Sequence, residues 1–503
     1  MKCINIMNFV RYIDERMDCD SVQYQFESTE MELDLCNEYG FENTFLLQYD
    51  AVISERYQKL FAEKATEKTE LGLWYEIVKP LCDAVGLPYR SELGYQWDWH
   101  INPGFSMAYT PRERERLIDE AMRKFKEVFG YYPKTVASWL MDSHTIAYLA
   151  DHYEISAFAN CRDQVNTDAY TLIGGYFNQA YYPARKNMFS PAQTDAERVS
   201  VPMFRLLGPC PVHNYENKKY MQSFERNKWG PCTLEPIWHT GKDRDAVRWF
   251  FRTYFENEDL GFSYAQLGQE NSFGWKKFMP GLRMQFEELA KLKDVRIEKM
   301  SVTGEAFKKK FGNRTPATSV VALDNWDTED VQSAYYDCEN YMANIFRHED
   351  RVSIRAFFLF DERVEERYLH DVCTTFDAVY DNLPLMNTQN WTDKTDRSCG
   401  IILDTDAEPF MAEKTGEGVL SVSWKDHSVI FDEEKVTVKA EKLHFRPGKP
   451  NADIRREDNM LRYEYRGAKY ALSVENAEIT DGDAGEYIIC PTDGVCILRP
   501  VRF

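Results

Sequence analysis

The sequence holds 12 cysteines among 503 residues but no C-x-x-C pair, so it offers no zinc ribbon and no dithiol redox motif. Scattered singly, those cysteines read as buried small hydrophobes of a reducing compartment. No G-x-x-x-x-G-K-[ST], G-x-G-x-x-G or G-x-S-x-G occurs, which removes support for a phosphate loop, a dinucleotide site or a serine-hydrolase elbow. No apolar run approaches the roughly 18 residues of a transmembrane helix. The N-terminal stretch lacks the long apolar region and small-residue cleavage site of a secretion signal. The expected location is therefore cytoplasmic, with prior removal of a leader as the alternative. Positive charge is also short: 61 Lys and Arg stand against 82 Asp and Glu, a net charge of −21. That excludes the basic face a nucleic-acid binder needs and disfavours docking to anionic membranes. The acidity reads as solubility. Internal repeats and low-complexity tracts are lacking as well.

What the chain does have is apolar and aromatic material, 44% and 14% of residues, with 30 Tyr, 31 Phe and 11 Trp. The length suits two or three domains, or one large barrel with an appendage. The rings suit large cores, and some of them suit stacking on sugars. The first three hundred residues alternate strand and helix signals. Strand-like runs are Cys3–Phe9, Thr44–Tyr49, Leu71–Tyr75, Thr135–Met141, Ile155–Ala159, Val199–Leu207, the run before Gln269, and Val295–Met300. Thr29-Glu-Met-Glu32 and Thr110-Pro-Arg-Glu113 read as capping boxes opening helices that close at Gly40 and Gly130. Strands separated by helices imply a parallel sheet, and seven or eight such units imply a closed barrel; a doubly wound sheet is the alternative. Two connections, 76–110 and 161–198, are longer than plain barrel turns and dense in aromatics and amides, the mark of functional loops. Beyond Asn313 the pattern changes to strands separated by Gly, Asp and Asn. The expected fold is α/β: a (β/α)7-8 barrel over 1–312, then an antiparallel β-sandwich-like accessory domain over 313–503.

In α/β barrels function gathers at the C-terminal ends of strands. The run Gly261–Trp275 ends in Gln269, Glu270 and Asn271, with Trp275 close behind. A carboxylate between two amides beside an indole suits a hydroxyl-rich ligand. The other strands end in acids too: Asp50, Glu76 in Trp74-Tyr-Glu76, and Asp142 in Trp139-Leu-Met-Asp-Ser-His144. Glycosidic cleavage needs two carboxyl groups across the scissile bond. Asp142 and Glu270 form the first expected pair, Glu76 the third catalytic candidate. Asp142 would equally cap the helix that follows it, and the roles can coexist. Trp97-Asp-Trp-His100 alternates indoles with Asp98 and His100, which suits sugar hydroxyls, a pair of metal ligands or an ordered loop plug. Asp163 lies in the amide-rich second loop. The expected contacts to substrate are Asp50, Trp74, Trp97, Asp98, Trp99, His100, His144, Asp163, Gln269, Asn271 and Trp275. No metal ligand set and no cofactor is assigned.

With Asn43–Asp50, Glu70–Glu76 and Phe129-Gly-Tyr-Tyr-Pro-Lys134 in hand, the first three hundred positions resemble the polysaccharide deacetylase-like superfamily. Its fold is a distorted seven-stranded (β/α) barrel, shared by family 57 and family 38 glycoside hydrolases with C-terminal β domains. The resemblance is a pattern over about 60% of the chain rather than a motif match, and it points to an uncharacterised bacterial branch. It implies metal ligands from a Thr-Phe-Asp-Asp-Gly stretch on the first strand and a His-x-x-x-His after the strand matching Leu71–Tyr75. Neither is present: the first strand runs into Arg11, and Trp74-Tyr-Glu76-Ile-Val-Lys-Pro80 has no histidine. The family 57 arrangement, with a nucleophile after strand four and an acid/base after strand seven, implies Asp142 and Glu270. The expectation is a glycoside hydrolase acting on an oligosaccharide or polysaccharide, without nucleic-acid or membrane partners and compatible with a homodimer. A metallohydrolase such as a carbohydrate deacetylase, with ligands drawn from Asp50, Asp98, His100, Asp142 and His144, and a non-catalytic carbohydrate-binding protein are the alternatives.

Overall fold

The computed structural model describes the chain apart from residues 18–19, 162–174, 177–178, 207–233, 327–329, 389–398 and 448–451. Seven parallel strands build the first half: β1 (Lys2–Val10), β2 (Asn43–Leu47), β3 (Thr69–Trp74), β4 (Thr135–Ser138), β5 (Ala157–Cys161), β6 (Met203–Leu206) and β7 (Ser263–Leu267). They lie in the order β7-β1-β2-β3-β4-β5-β6. The two ends approach one another, and Gln179 spans the seam: its carbonyl accepts from Arg205 N at 3.1 Å and its Oε1 from Tyr264 N at 2.5 Å. The result is a nearly closed seven-stranded barrel. Its strands are buried throughout, which explains why they read as continuous apolar runs without alternation.

Several local readings shift. The first helix, α1 (Ser21–Tyr39), starts at an Asp20 cap, a dozen residues before the expected end, with Gly40 closing it in the left-handed conformation. Thr29 is therefore mid-helix and bonds back to Gln25 O at 3.0 Å, so the apparent capping box is an interior turn. The box at Thr110 is real, with both reciprocal bonds formed. The last expected strand shrinks to Arg296–Ile297, because Met300 already begins a helix.

The second half is antiparallel. A nine-stranded sheet contains Thr318–Ala322, Val331–Asp337, Tyr341–His348 and Arg351–Leu359, and an eight-stranded sheet contains Val419–Trp424 and Val495–Arg502. Val320, Tyr335, Phe346, Ala356 and Phe358 join the core of the barrel, whereas Val321, Tyr336, Ile345 and Phe357 join the core between the two sheets. The nine-stranded sheet is thus buried on both faces, with alternate residues serving two cores. The described cysteines are unbridged and mostly buried. Among the described residues no helix is long and apolar enough to cross a membrane.

Candidate active site

The C-terminal ends of β1, β2, β3 and β7 converge on one buried guanidinium, that of Arg11. Its Nε and Nη2 donate to Glu76 Oε2 and Oε1 at 3.0 and 2.9 Å, and its Nη1 donates to Glu270 Oε2 and, at 3.3 Å, to Ser272 Oγ. The Trp97 ring covers its face, 4.2 Å from the guanidinium carbon. Gln48, just past β2, donates a further bond to Glu76 Oε2 at 2.6 Å. Arg11 and Glu76 are each 1% exposed and Glu270 5%, so ordinary solvation contributes little to any of them.

The backbone around Glu270 is forced into place. Gly268 has φ +119°, and a Cβ there would meet Met7 O at 1.9 Å, so only glycine lets the chain turn against β1. Phe9 N then donates to Gln269 O at 3.2 Å and Asn271 N to Phe9 O at 2.9 Å, extending the ladder through Glu270. Phe273 follows at φ +68° and Gly274 at +80°, where any Cβ would enter the Tyr24 ring. Strained backbone of this kind clusters at functional sites. Asn271 locks the turn to β1: its Oδ1 accepts from Arg11 N at 3.0 Å, and its Nδ2 donates to Arg11 O at 2.8 Å and Thr29 Oγ1 at 3.1 Å.

Electrostatics separate the carboxyl groups. Burial raises the pKa of Glu270, against the opposing pull of Arg11 and Arg16. Burial likewise lifts Asp50 to about 7, over hydrogen bonds from the Ala51 and Tyr12 backbone that favour its charge, with Glu76 adding to the rise. Asp142 goes the other way. Burial raises it, but Arg114 and bonds from Ser106 and Thr145 outweigh burial and hold it below the usual range.

The remaining expected residues fall into three groups. Trp97 and Trp99 line the mouth, where Arg16 lies 4.7 Å from the first ring, 5.2 Å from the second and 5.6 Å from Phe273. Trp97 is buried and Trp99 half-buried, and His100 stacks on Phe376 at 4.2 Å. Asp98 is turned into its own loop, accepting from His100 N at 3.0 Å and Ser91 Oγ at 2.6 Å and meeting His100 Nδ1 at 2.8 Å. The second group holds structure. Trp74 is fully buried and stacked on Phe9 at 4.3 Å, so it presents no face to a ligand. Asp142 caps the helix Ser143–His152 and pairs with Arg114 Nη1 at 2.9 Å, and it is not joined to the Arg11 cluster. Gln269 accepts from Ile237 N at 3.0 Å, and Trp275 starts the helix Trp275–Leu289 with its indole on Glu27 at 3.3 Å. His144 meets Glu115 on the outer surface at 3.2 Å. Asp163 lies outside the described residues.

Arg11, Gln48 and Glu32 went unremarked as site residues. The strand-end rule that found Glu76 and Glu270 applied equally to Arg11 and Gln48, each within one residue of its strand's end. Glu32 was hidden by the false capping box.

The fold is shared with a protein from Parabacteroides distasonis named a "putative glycoside hydrolase/deacetylase", at TM-score 0.54 and 14% identity over 78% of this chain and 91% of that one. A Mycobacterium smegmatis protein named a "putative polysaccharide deacetylase" aligns at TM-score 0.38 and 13% identity, over 61% and 90%. A family 57 branching enzyme from Thermococcus kodakaraensis aligns at 0.30 and 10%, over 62% and 71%. The likeness to this scaffold expected from the sequence is thus borne out as a likeness of fold. No curated protein sequence matches the chain. The metal that the resemblance implies does not fit these residues: the ends of β1 and β3 carry a permanent cation and its counter-ion, and a divalent ion between them would face the Arg11 charge. Among the described residues no three His, Cys, Asp or Glu side chains gather in a metal-binding group. The chain belongs to the family of a domain of unknown function, DUF3863, whose model matches residues 35–336.

Proposed function

We propose that the protein is a carbohydrate-active enzyme, specifically a glycoside hydrolase of oligosaccharides or polysaccharides, with Glu270 as general acid and Glu76 as the opposing carboxylate. The supporting observation is that two carboxyl groups at barrel strand ends flank one guanidinium in unequal environments. Glu76 is fixed by three hydrogen bonds and stays a carboxylate partner of Arg11, suited to attack or to activate water. Glu270 is tied to Arg11 by one nitrogen, is the more exposed of the two, and is buried enough to hold a proton. One acid protonates the leaving oxygen while the other carboxylate acts at the anomeric carbon. Arg16, Trp99 and Phe273 at the mouth supply stacking faces for a sugar ring. In this reading residues 1–312 carry the chemistry and 313–503 form an accessory domain. Asp142, the nucleophile first expected, is assigned instead to the helix cap.

The test is a panel of oligosaccharides and polysaccharides, scored for new reducing ends and for released acetate. Glu270→Gln and Glu76→Gln should each lower turnover roughly 10²–10⁴-fold while remaining folded. Unchanged turnover in both variants would end the assignment. Acetate release that depends on added metal would replace it with a deacetylase, and binding without turnover with a lectin-like role.

A further inference from the structure

On its inner face α1 carries Gln25, Thr29, Glu32 and Cys36 at helical spacing, and all four are 0% exposed. Polar residues on a helix face that packs against a barrel demand an explanation. Thr29 has one, since its hydroxyl receives Asn271 Nδ2 at 3.1 Å. Cys36 lies beside Asn8, whose Oδ1 accepts from Gln269 N at 3.1 Å. The neighbours of Glu32 along the stripe, one turn to either side, therefore reach the residues on both flanks of Glu270. Glu32 stands behind Glu270 itself. Neither of its carboxyl oxygens has a hydrogen-bond partner among the described residues.

An ionised carboxylate in that position would forfeit its hydration with nothing in return, a cost of several kcal/mol, whereas the neutral acid forfeits far less. The groups that face it are Glu270 from the end of β7, Cys36 on its own helix and Tyr57 from the helix Glu55–Lys64. Burial and the Glu270 charge both push the Glu32 carboxyl up, and no cation is among these neighbours to reverse that. A neutral carboxylic acid still owns one O–H to donate.

We infer that Glu32 is a positioning residue that holds a proton behind Glu270, the two carboxyl groups sharing it through a bridging water. Resting on the reading of Glu270 as the general acid, the inference adds the source of its proton. The proton leaves the Glu32 hydroxyl, passes through the water and arrives on a Glu270 carboxylate oxygen; Glu32 becomes the anion, and no bond to carbon changes. Such a couple titrates as a unit, and its second proton is lost at a higher pH than that of either acid alone.

Infrared difference spectroscopy on the full chain labelled with 13C-glutamate tests this without any substrate. At neutral pH the wild type should show the carbonyl band of a protonated carboxyl that Glu32→Gln removes and Glu270→Gln shifts. Glu32→Leu, which fills the space without a proton, should remove the same band and guards against misfolding of the first variant. Absence of the band, or a band that Glu270→Gln leaves unmoved, overturns the inference. With a substrate in hand, Glu32→Gln should move the alkaline limb of the kcat profile to lower pH with KM unchanged; an unmoved limb also overturns it. If no glycan is turned over, the assignment of activity fails while the infrared result still decides the proton.

Discussion

Arg11 and Glu76 meet through two parallel hydrogen bonds, Nε to Oε2 at 3.0 Å and Nη2 to Oε1 at 2.9 Å, with both side chains essentially out of solvent. The pair joins the ends of β1 and β3 across β2, whose Gln48 adds a third bond to the same carboxylate. A bidentate guanidinium fixes the plane and direction of Glu76 as a lone lysine would not. Arg11 is thus the keystone of the strand ends and the charge that keeps Glu76 ionised within the barrel.

Breaking that pair from one side should be costly. Arg11→Met leaves Glu76 buried beside Gln48 alone, and should lower stability by about 3–5 kcal/mol. The double variant Arg11→Met/Glu76→Leu removes both charges and should recover most of the loss, because the stranded carboxylate is gone. Urea unfolding of the two singles and the double gives the coupling. Additive losses would show that the bonds contribute little beyond packing.

Asp142 supplies a second, opposite expectation. Its Oδ1 caps the helix at Thr145 N and takes Arg114 Nη1, while Thr145 Oγ1 donates to Oδ2. Asp142→Asn retains a good cap but strips Arg114 of its counter-charge. Stability should fall by roughly 2–4 kcal/mol, with turnover per folded molecule within a few-fold of wild type. A loss of turnover comparable to that of Glu270→Gln, at unchanged stability, would return Asp142 to the chemistry.

How far the sequence discloses this depends on the range of the interactions. Strand-end acids were legible because barrel strands end abruptly: Glu76 and Glu270 were named from position alone. Their joint hold on Arg11 was not, because that contact spans 259 positions and no periodicity encodes it. Asp142 was paired with Glu270 on strand count, and the count cannot see Arg114, which reaches it from a helix 28 residues earlier. Trp74 was read as a platform because its strand face was known, but the stacking of Phe9 and Trp139 on it belongs to three strands at once. In the second half the strands Val331–Asp337 and Tyr341–His348 escaped notice: they serve two cores, so the apolar–polar alternation that marks a strand is missing.

Stability should depend on pH through Asp50 and Glu366. Burial raises both to about 7, with the Asp142 charge adding to the rise at Glu366. Each binds its proton more tightly folded than unfolded, so the stabilisation is complete below the unfolded pKa and is lost as pH rises through the folded one. Between about pH 4 and pH 8 each should withdraw roughly 1–3 kcal/mol. Asp50→Asn and Glu366→Gln should flatten that decline in denaturant midpoints. Glu366 accepts from Ser143 N at 2.7 Å and Met188 N at 2.9 Å, so the pH effect acts where the second half of the chain touches the barrel. A decline as steep in both variants as in the wild type would assign the loss to other groups.

Two tryptophans should part company on substitution. Trp74 has no exposed surface and stacks on Phe9, so Trp74→Ala leaves a cavity and should cost about 3–5 kcal/mol with little specific effect on binding. Trp99 is half-buried at the mouth, 6.3 Å from Trp97 and within reach of Arg16. Much of its indole already faces outward, so Trp99→Ala should change the melting temperature little. It should weaken oligosaccharide binding by about 1–2 kcal/mol, seen as a raised KM at constant kcat, because a stacking face acts on ground state and transition state alike. Calorimetry on any bound oligosaccharide separates the two. If Trp99→Ala binds as tightly as the wild type, the sugar does not pass over the Arg16 cluster, and the entrance to Glu270 lies on another side of the barrel mouth.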